Sequence, residues 1–229
     1  MNRLTGVIKM HLRDKNVWIY GPWLWGVLPS FVVNVFVSMM LNLDEPYYSG
    51  GLSSIYVYML IVSGIIVSQT FPFAIGLSVR RTDYFLGTAA TAVLFAVVVS
   101  LVLTLLSLAE GITEAWGWNF YYFRLPYINS GTAVQQAWTI FGILLAILFT
   151  GIGIASVYQR FGKIGMLVFF SGSLLVTGIG SVILTVTGMW GELFRWLTAH
   201  SAAYVATWLV LFAVCCALLS HWMLRRANA

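Results

Sequence analysis

The chain has 229 residues, of which 60% are hydrophobic and only 8% charged, so it lacks the polar surface to cover a soluble domain of useful size. Its net charge of +5 is spread over short clusters, which leaves no patch suited to nucleic acid. The two cysteines, Cys215 and Cys216, are adjacent in an apolar stretch; neighbours on a helix point about 100° apart, so neither a mutual disulfide nor a metal pair is expected.

The charged side chains fall in seven short gaps and leave six charge-free runs, 16–43, 46–79, 84–109, 125–159, 164–191 and 196–224. A helix of about 20 apolar residues crosses the hydrocarbon core, so each run predicts a transmembrane helix. The expected fold class is an all-α polytopic membrane protein, with residues 1–229 as one transmembrane domain. The gaps also alternate in sign. Residues 1–15, 80–83, 160–163 and 225–226 hold the basic clusters, with Asp14 and Asp83 as their only acids. The other gaps hold Asp44, Glu45, Glu110, Glu114 and Glu192 against Arg124 and Arg195. Basic residues are retained on the cytoplasmic side, which predicts that both termini are cytoplasmic. The first run is too long for the apolar region of a signal peptide, so no cleavage is expected.

In chain order, residues 3 to 19, within a surface segment 1–20, read as an amphipathic helix lying on the membrane. Leu4, Val7, Ile8, Leu12, Trp18 and Ile19 share one face, and Lys9, Arg13 and Asn16 the other. A simple positive-inside tag is the alternative. Helix 1 is expected at about 22–42, starting at Pro22 and bent by Pro29; an outer turn from Asp44 to Gly51 leads to helix 2 at about 54–77, bent by Pro72. Helix 3, at about 85–108, carries Ala92, Ala96 and Ser100 as a stripe of small residues for close helix approach. The outer loop 110–130 holds Trp116, Trp118, Tyr121, Tyr122 and Tyr127, an interfacial aromatic belt or a ligand-stacking surface. Helix 4, at about 134–156, has Gly142, Ala146 and Thr150 on one stripe. Helix 5, at about 163–187, is rich in small and hydroxylated residues. Ser173, Thr177 and Ser181 there are candidates for a weakly polar translocation path, with close helix packing as the other reading. A short amphipathic segment places Trp190, Leu193, Phe194 and Leu197 on one face before helix 6, at about 203–223.

Several chemistries lack their residues. No run contains an ionisable group at membrane depth for ion coupling, and His11, His200 and His221 are expected at interfaces. Ser173 has no histidine at matching depth to serve as a base, and neither a His-Glu-x-x-His pair nor a phosphate-cradling Gly-x-x-x-x-Gly-Lys loop occurs. The chain is therefore not expected to be an enzyme or to hold a cofactor or metal. What remains is a permease subunit driven by a partner, a channel, or a passive capture or scaffold subunit.

The first cytoplasmic loop is the most informative motif. The stretch from Phe71 to Thr88, with Gly76, Ser78, Arg80, Arg81, Asp83, Tyr84 and Gly87, resembles the loop between helices 2 and 3 of small type-2 ABC transporter permeases of the exporter class. That family has a Gly-x-(Ser/Thr)-Arg-(Arg/Lys)-x-x-(Phe/Tyr)-x-x-Gly pattern here. The helix count, the placement of the termini and the amphipathic N-terminal helix are also similar to it. The resemblance implies a short cytoplasmic coupling helix that rests on a separately encoded, soluble ABC ATPase, with Arg80, Arg81, Asp83 and Tyr84 making the contact. It implies ATP and Mg on that partner, and a second permease subunit, the same or homologous, with helices 1 and 5 near the seam. It also implies a plasma-membrane location, bacterial in source, with membrane lipid around the bundle; the apolar, Trp-rich composition of that bundle suggests an amphiphilic cargo such as a drug, peptide or lipid.

Overall fold

The computed structural model describes residues 3–41, 45–117, 119–129 and 131–227. The expected end of helix 1 at residue 42 lies outside the described residues, as do Asp44 and Trp118. The architecture is all-α. Helix α1 is Arg3–Arg13, α2 Leu28–Leu41, α3 Ser53–Gly76, α4 Arg81–Ile112, α5 Ala133–Val186, α6 Trp190–Ala199 and α7 Ala202–Arg225. Five stretches are long and apolar enough to cross a membrane: Asn16–Met40, Gly50–Gly76, Arg81–Ile112, Ala133–Val186 and Ala202–Arg225.

The predicted fourth and fifth helices join as α5, of 54 residues. At about 1.5 Å per residue a straight helix of that length would reach more than twice the hydrocarbon thickness of roughly 30 Å. It is not straight. Gly162 has φ 65 and ψ −159, a conformation essentially restricted to glycine, and it breaks the helix into a first arm, 133–161, and a second arm, 163–186.

The stretch preceding α2 departs from α-helical winding. Asn16–Tyr20 and Pro22–Val27 are wound as π-helix, with Gly21 N donating to Asn16 O and Leu28 N to Trp23 O. Pro22 and Pro29 lack the N–H groups that would close α-helical bonds to residues 18 and 25, and their rings crowd those carbonyls; the wider winding accommodates them. The N-terminal helix is accordingly shorter than expected. It ends at Arg13, and Trp18 belongs to the following span, where its ring lies 4.4 Å from that of Phe95 on α4.

Close approach at small residues sets the packing. A Cβ on Gly142 would come within 2.9 Å of Ala206 O, and one on Gly151 would collide with Ser63 Oγ and Leu60 O. Gly142 thus faces the start of α7 while Gly153 faces Ser220 near its end, so the first arm of α5 and α7 run parallel. Helix α3 is parallel to the same arm, since Gly64 approaches Gly151 and Gln159 Nε2 donates to Ser68 O. Ala92, Ala96 and Ser100 are all buried, as the small-residue stripe predicts. The largest apolar cluster joins α3, α4 and the first arm of α5 through Ile55, Met59, Phe95, Leu103, Leu144 and Ile152. None of residues 163–186 is buried.

Candidate functional site

The turn that carries the motif is short, and the separate coupling helix expected between the second and third spans is absent. Helix α3 continues through Pro72 to Gly76, and α4 starts at Arg81, four residues earlier than expected. Between them the chain closes a Schellman turn: Val79 N donates to Ala74 O and Ser78 N to Ile75 O, with Ser78 in the left-handed region at φ 57. Arg80 then caps α4 with extended backbone but without a side-chain capping bond. Asp83 lies in the first turn of α4, where its carboxylate complements the positive end of the helix. The residues between Arg81 and Gly87 form no helix of their own because they are the opening turns of a span.

Of the four proposed contact residues, Arg80 is exposed and Arg81 and Asp83 are partly exposed. Tyr84 is internal, with no exposed surface. Its hydroxyl bonds Thr70 Oγ1 at 2.7 Å, and its ring meets Phe71 edge-on at 5.3 Å. Tyr84 therefore fastens α4 to α3 and does not present its side chain to a partner. The reason is register: three residues past Arg81, the helix has turned Tyr84 towards α3 and α1.

Helix α1 closes the same end. Val7 packs where Gly87 leaves room for it, since a Cβ on Gly87 would come within 2.7 Å of Val7 Cβ. His11, expected at an interface, is buried at 2% exposure, and its Nε2 is 3.0 Å from Thr88 Oγ1. Burial pushes its imidazole down to about 4, so it is neutral at physiological pH. Its Nδ1 has no partner among the described residues, and His11 lines a cavity of about 140 Å³ together with Asp14, Trp18, Gln69 and Thr70. Helix α7 ends beside these groups. Arg81 Nη1 donates to Arg225 O at 3.1 Å, the rings of Phe85 and His221 are 4.9 Å apart, and the Arg160 guanidinium lies 4.0 Å from the Trp222 ring. The basic clusters separated in sequence thus gather at one end of the bundle.

The path candidates fare differently. Ser173, Thr177 and Ser181 lie along one face of the second arm of α5, and all three are exposed. Each donates its hydroxyl proton to its own helix, Ser173 to Phe169 O, Thr177 to Ser173 O and Ser181 to Gly178 O. Among the described residues no hydrogen bond joins these hydroxyls to another helix, and none of the three is buried by close intrachain packing.

At the opposite end, a residue the sequence reading treated only as a topological charge organises a whole loop. Glu110 lies in the last turn of α4 with no exposed surface. Its Oε1 accepts from Trp116 Nε1 and Tyr122 N, each at 2.8 Å, and its Oε2 from Phe123 N at 2.8 Å and Arg124 N at 2.6 Å. The carboxylate gathers donors from a loop whose backbone has positive φ at Glu114, Ala115, Trp116 and Asn119. Phe120, Tyr122 and Phe123 of this loop turn inward, whereas Trp116 and Tyr127 stay exposed; Phe31 of α2 is ringed by Trp116, Phe120, Tyr122 and Phe123 at 5.2–6.4 Å. Tyr47 and Tyr48 pair in parallel with Phe120 and Tyr121 to complete this cap. Tyr122, with no exposed surface, is core rather than belt or ligand platform. The available signal was an acid followed within about a dozen residues by several aromatics, a pattern that names no partner.

Neither the family models, the curated proteins nor the solved structures contain a match to this chain. The class its fold defines is an all-α protein whose long apolar helices suit it to a membrane.

Proposed function

We propose that the chain is the permease subunit of an ATP-driven exporter, energised by a separate soluble ABC ATPase that holds ATP and Mg and moving an amphiphilic cargo. In this reading α2, α3, α4, both arms of α5, and α7 each cross the plasma membrane. The basic end and both termini face the cytoplasm, in line with the retention of positive charge there. Arg80, Arg81 and Asp83 meet the ATPase, with Tyr84 supporting them from behind. A second permease subunit covers the second arm of α5, of whose residues none is buried.

The observation that carries the reading is how firmly the charged turn is mounted. The Schellman bonds tie it to α3, the Tyr84–Thr70 bond ties α4 to α3, and the Arg81–Arg225 bond ties it to the end of α7. A push on the turn is therefore passed to three helices, which is what a partner-driven bundle needs. Arg and aromatic residues also dominate interface hot spots.

The test is copurification of the tagged full chain from native membranes in mild detergent. A soluble ATPase should accompany it, and Arg80→Glu with Asp83→Lys should release that ATPase while the bundle still elutes as a folded species. A chain that carries no ATPase, or one whose ATPase is indifferent to this charge reversal, would instead be a capture or scaffold subunit.

A further inference from the structure

We propose that the groove between α3 and the two arms of α5 is a binding site for an anionic phospholipid. The proposal rests on the chain being in a membrane and is independent of the transporter reading.

The groove encloses about 520 Å³, and its walls include Ile61, Gly64 and Gln69 of α3, Gly151 of the first arm, and Met166 and Phe170 of the second. It exists because of the fold's two glycine devices. Gly64 and Gly151 let α3 and the first arm touch, and the break at Gly162 sends the second arm back alongside them to make the third wall. The volume is within the roughly 300–1,000 Å³ of small-molecule sites. An α-helix with its side chains is about 10 Å across, so the same space would hold little more than one helical turn. The groove is therefore too small for a helix of a partner chain and of a size for a lipid tail.

Its chemistry is graded along its length. At one end lie Ile61 and Phe170, each more than half exposed, and at the other lie Ser68 and Gln69. Gln159 Nε2 donates to Ser68 O at 2.9 Å and fixes that polar end beside the Gly162 break. Lys163, the first residue after the break, precedes Met166 by three positions and Phe170 by seven, so it shares their helical face. It is exposed. An apolar slot with an amide in its wall and, about one helical turn before Met166, an exposed lysine matches a molecule with an apolar tail and an anionic head. Basic pockets between spans hold acidic headgroups in this way.

The experiment is native mass spectrometry of the full chain, delipidated in mild detergent and then incubated with phosphatidylglycerol or phosphatidylcholine at equal concentration. The wild-type chain should retain the anionic lipid preferentially, by about fivefold, the worth of one lysine against an anionic surface. Lys163→Glu should erase that preference and Lys163→Arg keep it, while Ile61→Trp, which fills the groove from an exposed position, should lower the occupancy of both lipids. Size-exclusion profiles identify any variant that has not folded, and the wild-type comparison stands without the variants. Equal retention of the two lipids by the wild-type chain, a preference that survives Lys163→Glu, or unchanged occupancy in folded Ile61→Trp would each overturn the proposal.

Discussion

Replacing Glu110 tests the cap over Phe31 most directly. Its carboxylate accepts four hydrogen bonds, three of them from consecutive backbone N–H groups of Tyr122, Phe123 and Arg124, at a position with no exposed surface. In Glu110→Ala those donors lose their acceptor. An unsatisfied buried donor costs about 1–3 kcal/mol, so three backbone groups and an indole would together exceed the cost of opening the loop to water. The loop opens instead, and the expected loss is about 3 kcal/mol, roughly a hundredfold in the population of the open form. Hydrogen exchange at the amides of residues 122–124 reads this directly. Glu110→Gln retains one acceptor oxygen but turns an NH₂ towards the remaining donors, so its effect should be large too. Exchange in Glu110→Ala within about twofold of wild type would show that the cap is held by its aromatic packing and that the carboxylate is incidental.

Three further outcomes follow from the basic end and the helix contacts. His11 is buried neutral with its pKa lowered to about 4 from 6.5, so the undocked state binds the extra proton first. The docking of α1 is therefore fully stable above pH 6.5 and weakens as pH falls towards 4, by at most about 3 kcal/mol at 1.36 kcal/mol per pKa unit; proteolysis of α1 across this range should show it, and His11→Gln should flatten the profile. Gly142→Ala should cost about 1–3 kcal/mol in thermal unfolding, because the new methyl meets the Ala206 carbonyl and cannot move it aside without parting α5 from α7. Ser78 occupies a left-handed position at φ 57, so Ser78→Gly should raise stability by up to about 1 kcal/mol, whereas Ser78→Val should lower it; a fall in melting temperature for Ser78→Gly would count against the turn described here.

Much of the helix plan is legible in the chain because the cost of placing charge in hydrocarbon is counted residue by residue along the sequence. The gap at 160–163 contains Gly162, where α5 breaks, and the gap at 80–83 contains the start of α4. Periodicity likewise exposed the buried stripe of Ala92, Ala96 and Ser100 and the contact at Gly142. The motif residues at 80–84 were legible as a cluster, but not their orientation. A side chain's direction depends on where the helix starts, and an α4 that begins at Arg81 buries Tyr84 between α3 and α1. The same limit applies to His11, whose burial depends on Gly87 and Thr88 about eighty residues away, and to Glu110, whose partners lie on a returning loop. The exposed face of Ser173, Thr177 and Ser181 is a further case, since the sequence supplied the stripe but not what lies opposite it. Composition and spacing thus determined which segments are helical and apolar, because those costs are local and additive. Only the tertiary structure decided which polar groups are buried and what they touch, because a hydrogen-bond partner or a groove wall is a relation between segments that the chain order does not contain.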